Sequence, residues 1–337
     1  MSLLCARKIG VCGSSKGLDP HAIAFCQALG RRLAQDPLAR IISGGTKQRH
    51  NARPNDFAAD WWIIDAAQRE LDSTAIPTRI LTVVRDPAVE TTGFQVGALQ
   101  RARGKTSEAR RIAFVLDIDG LIAVAGGRGT DQELALAIEH DIKVLPVPTF
   151  GGTAKKYWDV YRADLIKTLR LNEDVVAKWE GAAPTEEQGL RALADSIVEA
   201  LFGSFPRRCF IIMPYRDDYD SLYDFVIAPA LRAIGDQAIR LDRVGMPGNI
   251  TTQIEEGIKN CDYAIAVLDQ LRPNVLYELG LAHGRHKTTI LMNLKGALGG
   301  DGMLPFDVST LQRLEYAKVD AGLQTRLQSV LETLTLS

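Results

Sequence analysis

The sequence predicts two doubly wound, parallel α/β domains joined by a helical connector, and three observations carry that prediction. Short apolar runs alternate with amphipathic helical patterns along most of the 337 residues, the signature of strand–helix–strand units in a parallel sheet. Several runs end in a glycine-rich or acidic loop, as at Gly13, Gly44, Gly126 and Asp269. A polar helical interruption near residues 173–205 is followed by a fresh apolar strand at Cys209, so the length divides into two domains each able to bury a core.

The first domain, residues 1–172, opens with a strand over Arg7 to Cys12 that feeds Gly13-Ser14-Ser15-Lys16-Gly17. Asp19 caps the next helix, with Pro20 at its first position and Ile23, Phe25, Cys26, Leu29 and Leu33 at helical spacing. The loop thus aims backbone N–H groups at a helix start, a ready anion site; tight turns also need glycine for conformational reasons alone. Leu38 to Ser43 is the second strand, ending in Gly44-Gly45-Thr46, and Phe57, Trp61, Ile64 and Ala67 stripe the following helix. Thr78 to Val84 is the third strand. Phe94 to Val115 has helical spacing and holds Arg101, Arg103, Lys105, Arg110 and Arg111, a cluster that reads most simply as a solvated helix face. Leu121 to Ala125 is the fourth strand. Gly126-Gly127-Arg128-Gly129-Thr130-Asp131-Gln132-Glu133 opens the helix Leu134 to His140; its glycines allow close backbone approach, and Thr130 can cap the helix and donate to a phosphate. Ile142 to Val147 and a helix over Tyr157 to Leu171 close the domain.

Residues 173–205 keep an apolar stripe (Leu190, Leu193, Ile197, Leu201) and lack Gly/Ser repeats, so they read as an ordered connector. The second domain, residues 206–337, starts with the strand Cys209 to Met213 and a periodic helix from Tyr219 to Ile234 that Pro229 should kink. Ala238 to Leu241 is a strand ending in Asp242-Arg243; Asn249 caps a helix with Ile250, Ile254 and Ile258. Tyr263 to Leu268 is a strand closed by Asp269, and Pro273 opens the helix Asn274-Val-Leu-Tyr-Glu-Leu-Gly-Leu-Ala-His283. Thr288 to Met292 is a further strand, and Asp320 to Leu336 an amphipathic helix that packs on this sheet or joins subunits. Ligands of open α/β sheets bind outside the carboxyl ends of strands, which gathers Met213-Pro214-Tyr215, Asp242-Arg243, Asp269, Asn274, Tyr277 and Glu278 around one crevice. Glu278 sits in an otherwise apolar helix. A carboxylate there serves the helix dipole or serves chemistry. Asp269 reads equally as a turn residue, Arg243 as a surface arginine, and His283 and His286 as structural.

Forty basic and 41 acidic residues leave a net charge of -1, which argues against nucleic acid or an anionic membrane as partner. No apolar run is long enough to span a bilayer, and the first residues do not resemble a signal peptide. Five scattered cysteines inside apolar runs read as reduced core thiols of a cytoplasmic protein, and no Cys/His spacing suggests a metal site.

The stretch Asn274 to His283, with Cys209-Phe-Ile-Ile-Met-Pro-Tyr215 roughly sixty residues earlier, resembles the nucleoside 2-deoxyribosyltransferase-like family, which is structurally close to TIR domains. The resemblance covers residues 206 to 320 and implies cleavage of an N-glycosidic bond in a nucleoside, a nucleotide or NAD, with Glu278 as the catalytic residue. Met213, Pro214, Tyr215, Asp242, Arg243, Asp269, Asn274 and Tyr277 are then substrate-binding, NAD is a substrate, and no cofactor or metal is required. The acidic motif that true deoxyribosyltransferases carry near their first strand is missing, which favours hydrolysis or a divergent substrate over base exchange.

Gly126 to Glu133 resembles the Pro-Gly-Gly-x-Gly-Thr-x-x-Glu motif of the LOG family of nucleoside-monophosphate phosphoribohydrolases, with Ala125 in place of Pro. Arg110-Arg111 stands at the distance of that family's Arg-Lys pair, and the likeness spans residues 7 to 170. Some such domains are hydrolases. Others, the SLOG domains of prokaryotic conflict systems, bind nucleotide signals. The resemblance implies a Rossmann-like fold whose messenger-binding residues are Gly13, Ser14, Ser15, Gly44, Gly45, Thr46, Arg110, Gly126, Gly127, Arg128, Gly129, Thr130 and Glu133. The messenger would be a cyclic ADP-ribose isomer or a cyclic oligonucleotide. Both resemblances together imply a messenger-activated N-glycosidase effector of antiviral defence acting as a homo-oligomer. A LOG-like hydrolase with a partner module and a non-enzymatic nucleotide-binding adaptor are the alternatives.

Overall fold

The computed structural model describes residues 7–14, 17–45, 56–84, 94–104, 106–214, 216–243, 249–270, 272–297 and 313–334. The chain divides into two compact units, with the boundary between Phe205 and Pro206, and each contains one parallel sheet. The two sheets are doubly wound α/β, as the alternating pattern predicts.

In the first unit the strands are β1 (Arg7–Gly13), β2 (Ala39–Ser43), β3 (Ile80–Val84), β4 (Ala98–Arg101), β5 (Gly120–Val124) and β6 (Lys143–Val147). They lie in the order β4-β3-β2-β1-β5-β6, all parallel. Ile9 and Val11 of β1, Ile41 of β2, and Leu121 and Ile122 of β5 have no exposed surface. Near-continuous apolar runs of this kind suit strands covered on both faces. The order reverses between β1 and β5, the place where open sheets of this class leave a crevice. The helices are α1 (Pro20–Gln35), α2 (Ala59–Glu70), α3 (Ile76–Arg79), α4 (Ser107–Val115), α5 (Arg128–Glu139), α6 (Gly152–Thr168), α7 (Glu173–Glu180) and α8 (Glu187–Ser204). Helix α1 packs on α2 and α8, and α5 on α4 and α6. Asp19 caps α1 by accepting from the Ala22 N–H at 2.8 Å.

Residues 173–205, expected as a connector, are α7 and α8, and they pack into this unit's core. Val176, Trp179, Leu190, Ile197, Val198 and Leu201 are buried with the sheet residues. The helix expected over Phe94 to Val115 is instead strand β4 followed by a shorter α4. Gly97 at φ 77° and Gly104 at φ 132° break the helical path. The Thr82 hydroxyl of β3 donates to the Val96 carbonyl at 2.7 Å and guides β4 onto the sheet edge. Because β4 is a half-exposed edge strand, with Leu99 48% exposed, it shows no apolar run to read. Strand β3 begins at Ile80 and not at Thr78, because Ile76 to Arg79 form a helical turn. Arg79 from that turn is buried, donating to the carbonyls of Leu33, Ala34, Asp36 and Ala39.

In the second unit β7 (Arg208–Ile212), β8 (Gln237–Ile239), β9 (Tyr263–Val267), β10 (Thr288–Leu294) and β11 (Arg313–Tyr316) form the order β11-β10-β9-β7-β8, again parallel throughout. Strand β11 was not legible from the sequence. Counted within the unit this is 2-1-3-4-5, the flavodoxin-like order, with its reversal between β7 and β9. Helices α9 (Asp217–Leu222), α10 (Ala228–Ala233) and α13 (Ala321–Thr333) cover one face. Helices α11 (Ile250–Asn260) and α12 (Pro273–Gly284) cover the other. Alternate residues of β7 and β9 divide between the two cores: Ile211, Ile265 and Val267 with α9, α10 and α13, and Phe210, Ile212, Ala264 and Ala266 with α11 and α12. The stretch Tyr223–Ile227 between α9 and α10 is π-helical. Pro229 lacks an N–H, and the chain passes it by widening, the Ala228 N–H reaching the Tyr223 carbonyl five residues back, instead of by the expected kink.

Candidate functional sites

At the β1/β5 reversal of the first unit, the sheet delivers Gly13 and Ser14 from one strand and Ala125 to Gly129 from the other. Gly13 lies so close to β5 that a Cβ atom there would fall 2.3 Å from the Val124 carbonyl oxygen. Ala125 has φ 55° and Gly126 φ 102°, so the chain swings sharply out of β5 before α5 begins. A Cβ on Gly126 would meet the Thr130 side chain at 2.5 Å, which makes this turn a glycine requirement.

Glu133, one and a half turns into α5, is buried at 8% exposure. The Arg111 Nε lies 4.0 Å from its Oε1. Arg110, the neighbouring residue of α4, donates to the Gly44 carbonyl at the end of β2. A Cβ on Gly44 would stand 3.1 Å from Arg110 Nη1 and 3.9 Å from Glu133 Oε1, so Gly44, Arg110 and Glu133 form one cluster. Burial pushes the Glu133 carboxyl up; Arg110, Arg111 and a hydrogen bond with Cys12 oppose that shift. Burial also lowers Arg111 and holds the Cys12 thiol far above its ordinary value, with Glu133 adding to it. The result is a buried acid held between two guanidinium groups at the carboxyl end of the sheet, the donor set that bidentate recognition of phosphate uses. Arg111 belongs to this cluster as much as Arg110. The resemblance implied Arg110 as a site residue and Arg111 as its neighbour in the pair, while their spacing alone reads as an exposed basic face; α4 presents both inward toward β2 and α5.

Several expected anion donors are otherwise engaged. The Ser14 N–H donates to the Val124 carbonyl at 3.1 Å, and the Ser14 carbonyl accepts from Ala59. The Gly45 N–H donates to Ser43 Oγ at 3.0 Å. Thr130 is not the cap of α5: that position is Gly127, and the Thr130 hydroxyl donates to the Gly13 carbonyl at 3.1 Å, tying β1 to α5. Arg128 and Gly127 are exposed at the start of α5. Ser15 and Thr46 lie outside the described residues.

In the second unit Glu278 lies on α12 with Val275, Leu279 and Ala282, all facing the apolar layer beneath. It is 2% exposed, and its Oε2 has no hydrogen-bond partner among the described residues. Burial alone pushes its carboxyl from 4.5 up to about 7. One turn earlier on the same helix Asn274 is exposed, and Tyr277 is 50% exposed.

The other residues expected around Glu278 divide among different settings. Met213 is fully buried in the core on the opposite face of the sheet, where it packs and offers nothing to a ligand. Pro214 is buried, and Tyr215 lies outside the described residues. Asp242 accepts from Arg240 through both oxygens, each at 2.9 Å. Arg243 is held by Asp224 at 2.8 Å and Asp220 at 3.1 Å, over the Tyr223 ring. These two therefore belong to a surface ion-pair network. Asp269 accepts from the Leu294 N–H at 2.6 Å and from the Tyr316 hydroxyl; it fastens the ends of β9, β10 and β11 on the α9/α13 face. Burial raises its carboxyl, and those two donors oppose the shift. The single crevice expected from the sequence is thus divided across the two faces of the sheet. His283 meets Thr289 at 2.9 Å, a packing role.

Among the described residues no group of His, Cys, Asp and Glu could hold a metal, Cys12, Cys26, Cys209 and Cys261 are buried cysteines outside any disulfide, and no helix is long and apolar enough to cross a membrane.

Fold and sites define a chain of two doubly wound α/β units, each with a buried glutamate near the carboxyl edge of its sheet. No protein-family model matches the chain, and no curated protein matches it. It is similar to solved structures of the molybdenum cofactor carrier protein of Chlamydomonas reinhardtii, at 18% identity over 57% of this chain and 98% of that one with a TM-score of 0.35. A molybdenum cofactor binding protein of Rippkaea orientalis matches at 17% identity over 57% and 98%, TM-score 0.35. The CMP N-glycosidase BcmB of Clostridium botulinum matches at 19% identity over 38% and 99%, TM-score 0.26.

Proposed function

We propose that the chain is a nucleotide-messenger-activated N-glycosidase that cleaves NAD, with Glu278 as its catalytic carboxyl and the first unit as the messenger-binding sensor. The observation that carries the reading is Glu278: a glutamate at 2% exposure whose Oε2 has no hydrogen-bond partner among the described residues and whose carboxyl is pushed up to about 7. A buried carboxyl oxygen without a hydrogen bond costs stability, and a pKa near neutrality is what proton transfer at working pH requires. In the reaction the bond between the ribosyl anomeric carbon and the nicotinamide nitrogen breaks, and its electron pair stays with the nicotinamide, which leaves neutral. The carboxylate form of Glu278 stabilises the oxocarbenium-like ribosyl cation. A water oxygen then bonds to the anomeric carbon and yields its proton to Glu278, giving ADP-ribose, nicotinamide and a proton returned to solvent.

The Arg110, Arg111 and Glu133 cluster supports the sensor role, since paired guanidinium groups suit the phosphates of a cyclic ADP-ribose isomer or a cyclic oligonucleotide. Switching requires the messenger to bind one state better than the other, and self-association in the cytoplasm during an antiviral response is the form we assign to it. The test is release of nicotinamide from NAD by the purified chain, with and without such messengers, beside Glu278→Gln. Messenger-dependent release lost in the variant supports the reading; an unchanged rate in Glu278→Gln sinks it.

The same cluster favours one other reading. An arginine pair and a buried acid at the sheet reversal also suit hydrolysis of a nucleoside monophosphate in the first unit. Base release from such a substrate without any messenger, abolished by Arg110→Ala or Glu133→Ala and untouched by Glu278→Gln, would establish it.

A further inference from the structure

On the α9/α13 face of the second sheet the ends of β9, β10 and β11 surround a cavity of about 290 Å³, at the low end of the roughly 300–1,000 Å³ of small-molecule sites. Glu278 does not line it. Its walls combine an apolar and aromatic side, Leu222, Tyr219 and Tyr316 with Val319 at the rim, and a polar side that includes Asp218, Gln270 and Lys318. Asp269 stands in it at 8% exposure.

The charges around the cavity settle what chemistry it takes. Asp218 is compensated by Arg216 at 3.1 Å, and Lys318 by Asp320 at 3.1 Å. Among the described residues Asp269 has no cationic partner; its two donors are the neutral Leu294 N–H and Tyr316 hydroxyl. Each carboxylate oxygen can accept more than one hydrogen bond, so both retain acceptor capacity toward the cavity. An anion entering would meet an uncompensated buried carboxyl. A polyol would leave the aromatic and aliphatic wall unmatched, and a dinucleotide exceeds the volume. We propose that this cavity binds a neutral, planar nitrogen heterocycle carrying an amide or amine, whose N–H groups donate to Asp269 while its ring lies against Tyr219, Leu222 and Tyr316. The site is separate from Glu278 and does not rest on the role given to that residue.

Nicotinamide, adenine and cytosine are the probes, titrated calorimetrically into the full chain beside nicotinic acid, the anionic twin of nicotinamide, and D-ribose. The expected result is saturable binding of at least one of the three bases. Val319→Trp, which fills the mouth of the cavity from a residue already 37% exposed, should weaken it about tenfold or more, equivalent to about 1.4 kcal/mol. Nicotinic acid should bind correspondingly worse than nicotinamide. Circular dichroism and a melting curve confirm that Val319→Trp is folded. No saturable binding of any base at millimolar concentration overturns the proposal. So does ribose binding as tightly as the bases, or base binding that survives Val319→Trp and is lost in Glu278→Gln.

Discussion

Glu133 and Glu278 are both buried glutamates on helices that follow a strand at a sheet reversal, and they differ in company. Glu133 lies with Arg110, Arg111 and Cys12, while Glu278 has an apolar layer and, among the described residues, no hydrogen-bond partner at Oε2. Burial raises both carboxyls. In Glu133 the two guanidinium groups pull back toward the charged form; in Glu278 nothing does, and the value reaches about 7. Burial thus raises both carboxyls, against the pull of two cations at Glu133 and with no such pull at Glu278 among the described residues. The first arrangement suits holding a ligand and the second suits moving a proton.

The largest effect that can break this contrast is on turnover. If Glu278 is the catalytic carboxyl, Glu278→Gln should reduce nicotinamide release about a thousandfold, within the range that general acid–base groups contribute; Glu133→Gln should leave the chemical step intact once messenger is saturating.

The next effect is on stability against pH. The folded Glu278 carboxyl lies above its unfolded value, so the folded chain holds this proton more tightly. Its contribution is full below about pH 4.5 and is lost as pH rises through about 7. A shift of this size corresponds to about 3 kcal/mol. Denaturant titrations should therefore show Glu278→Gln more stable than the parent at pH 8 and indistinguishable from it near pH 4, with the slope between those limits removed. A parent curve that is flat from pH 5 to 8 would contradict the isolation of Glu278.

Glu133→Gln should move in the same direction at pH 8, because the folded Glu133 carboxyl also lies above its ordinary value. Arg110 and Arg111 oppose the burial there, so the gain should be the smaller of the two by the same titration. A gain as large as that of Glu278→Gln would break the contrast. Arg110→Ala should weaken binding of a phosphate-bearing ligand to the first unit by about ten- to a hundredfold, the worth of one charge-assisted hydrogen bond, and should spare nicotinamide binding to the second. The smallest effect is that of Gly44→Ala. Its methyl group would stand 3.1 Å from Arg110 Nη1, the end of a flexible side chain, so stability should change by less than about 1 kcal/mol while ligand affinity falls as Arg110 is displaced from the Gly44 carbonyl.

The sequence by itself determined the two doubly wound sheets, the capped helix starts at Asp19 and Asn249, and the placing of Glu133 and Glu278 on helices that follow strands. Apolar runs and helical periodicity are local properties, and a buried parallel strand must write its burial into consecutive residues. Tertiary structure decided what those patterns leave open. The edge strands β4 and β11 carry no such run, since half of each faces away from the core. Whether residues 173–205 tether or pack depends on α1 and β6, which offer α8 an apolar surface. Arg110, a site residue by resemblance, and Arg111 meet Gly44 and Glu133, and Arg243 joins Asp220 and Asp224, only through residues well removed in sequence. The sequence draws Asp269 and Glu278, nine residues apart, to one crevice, and the structure sets them on opposite faces of the sheet. Alternate residues of β9 face opposite cores, and the chain then crosses to the helix on the other side. The side a residue faces follows from register and pairing, which the linear order of residues does not contain.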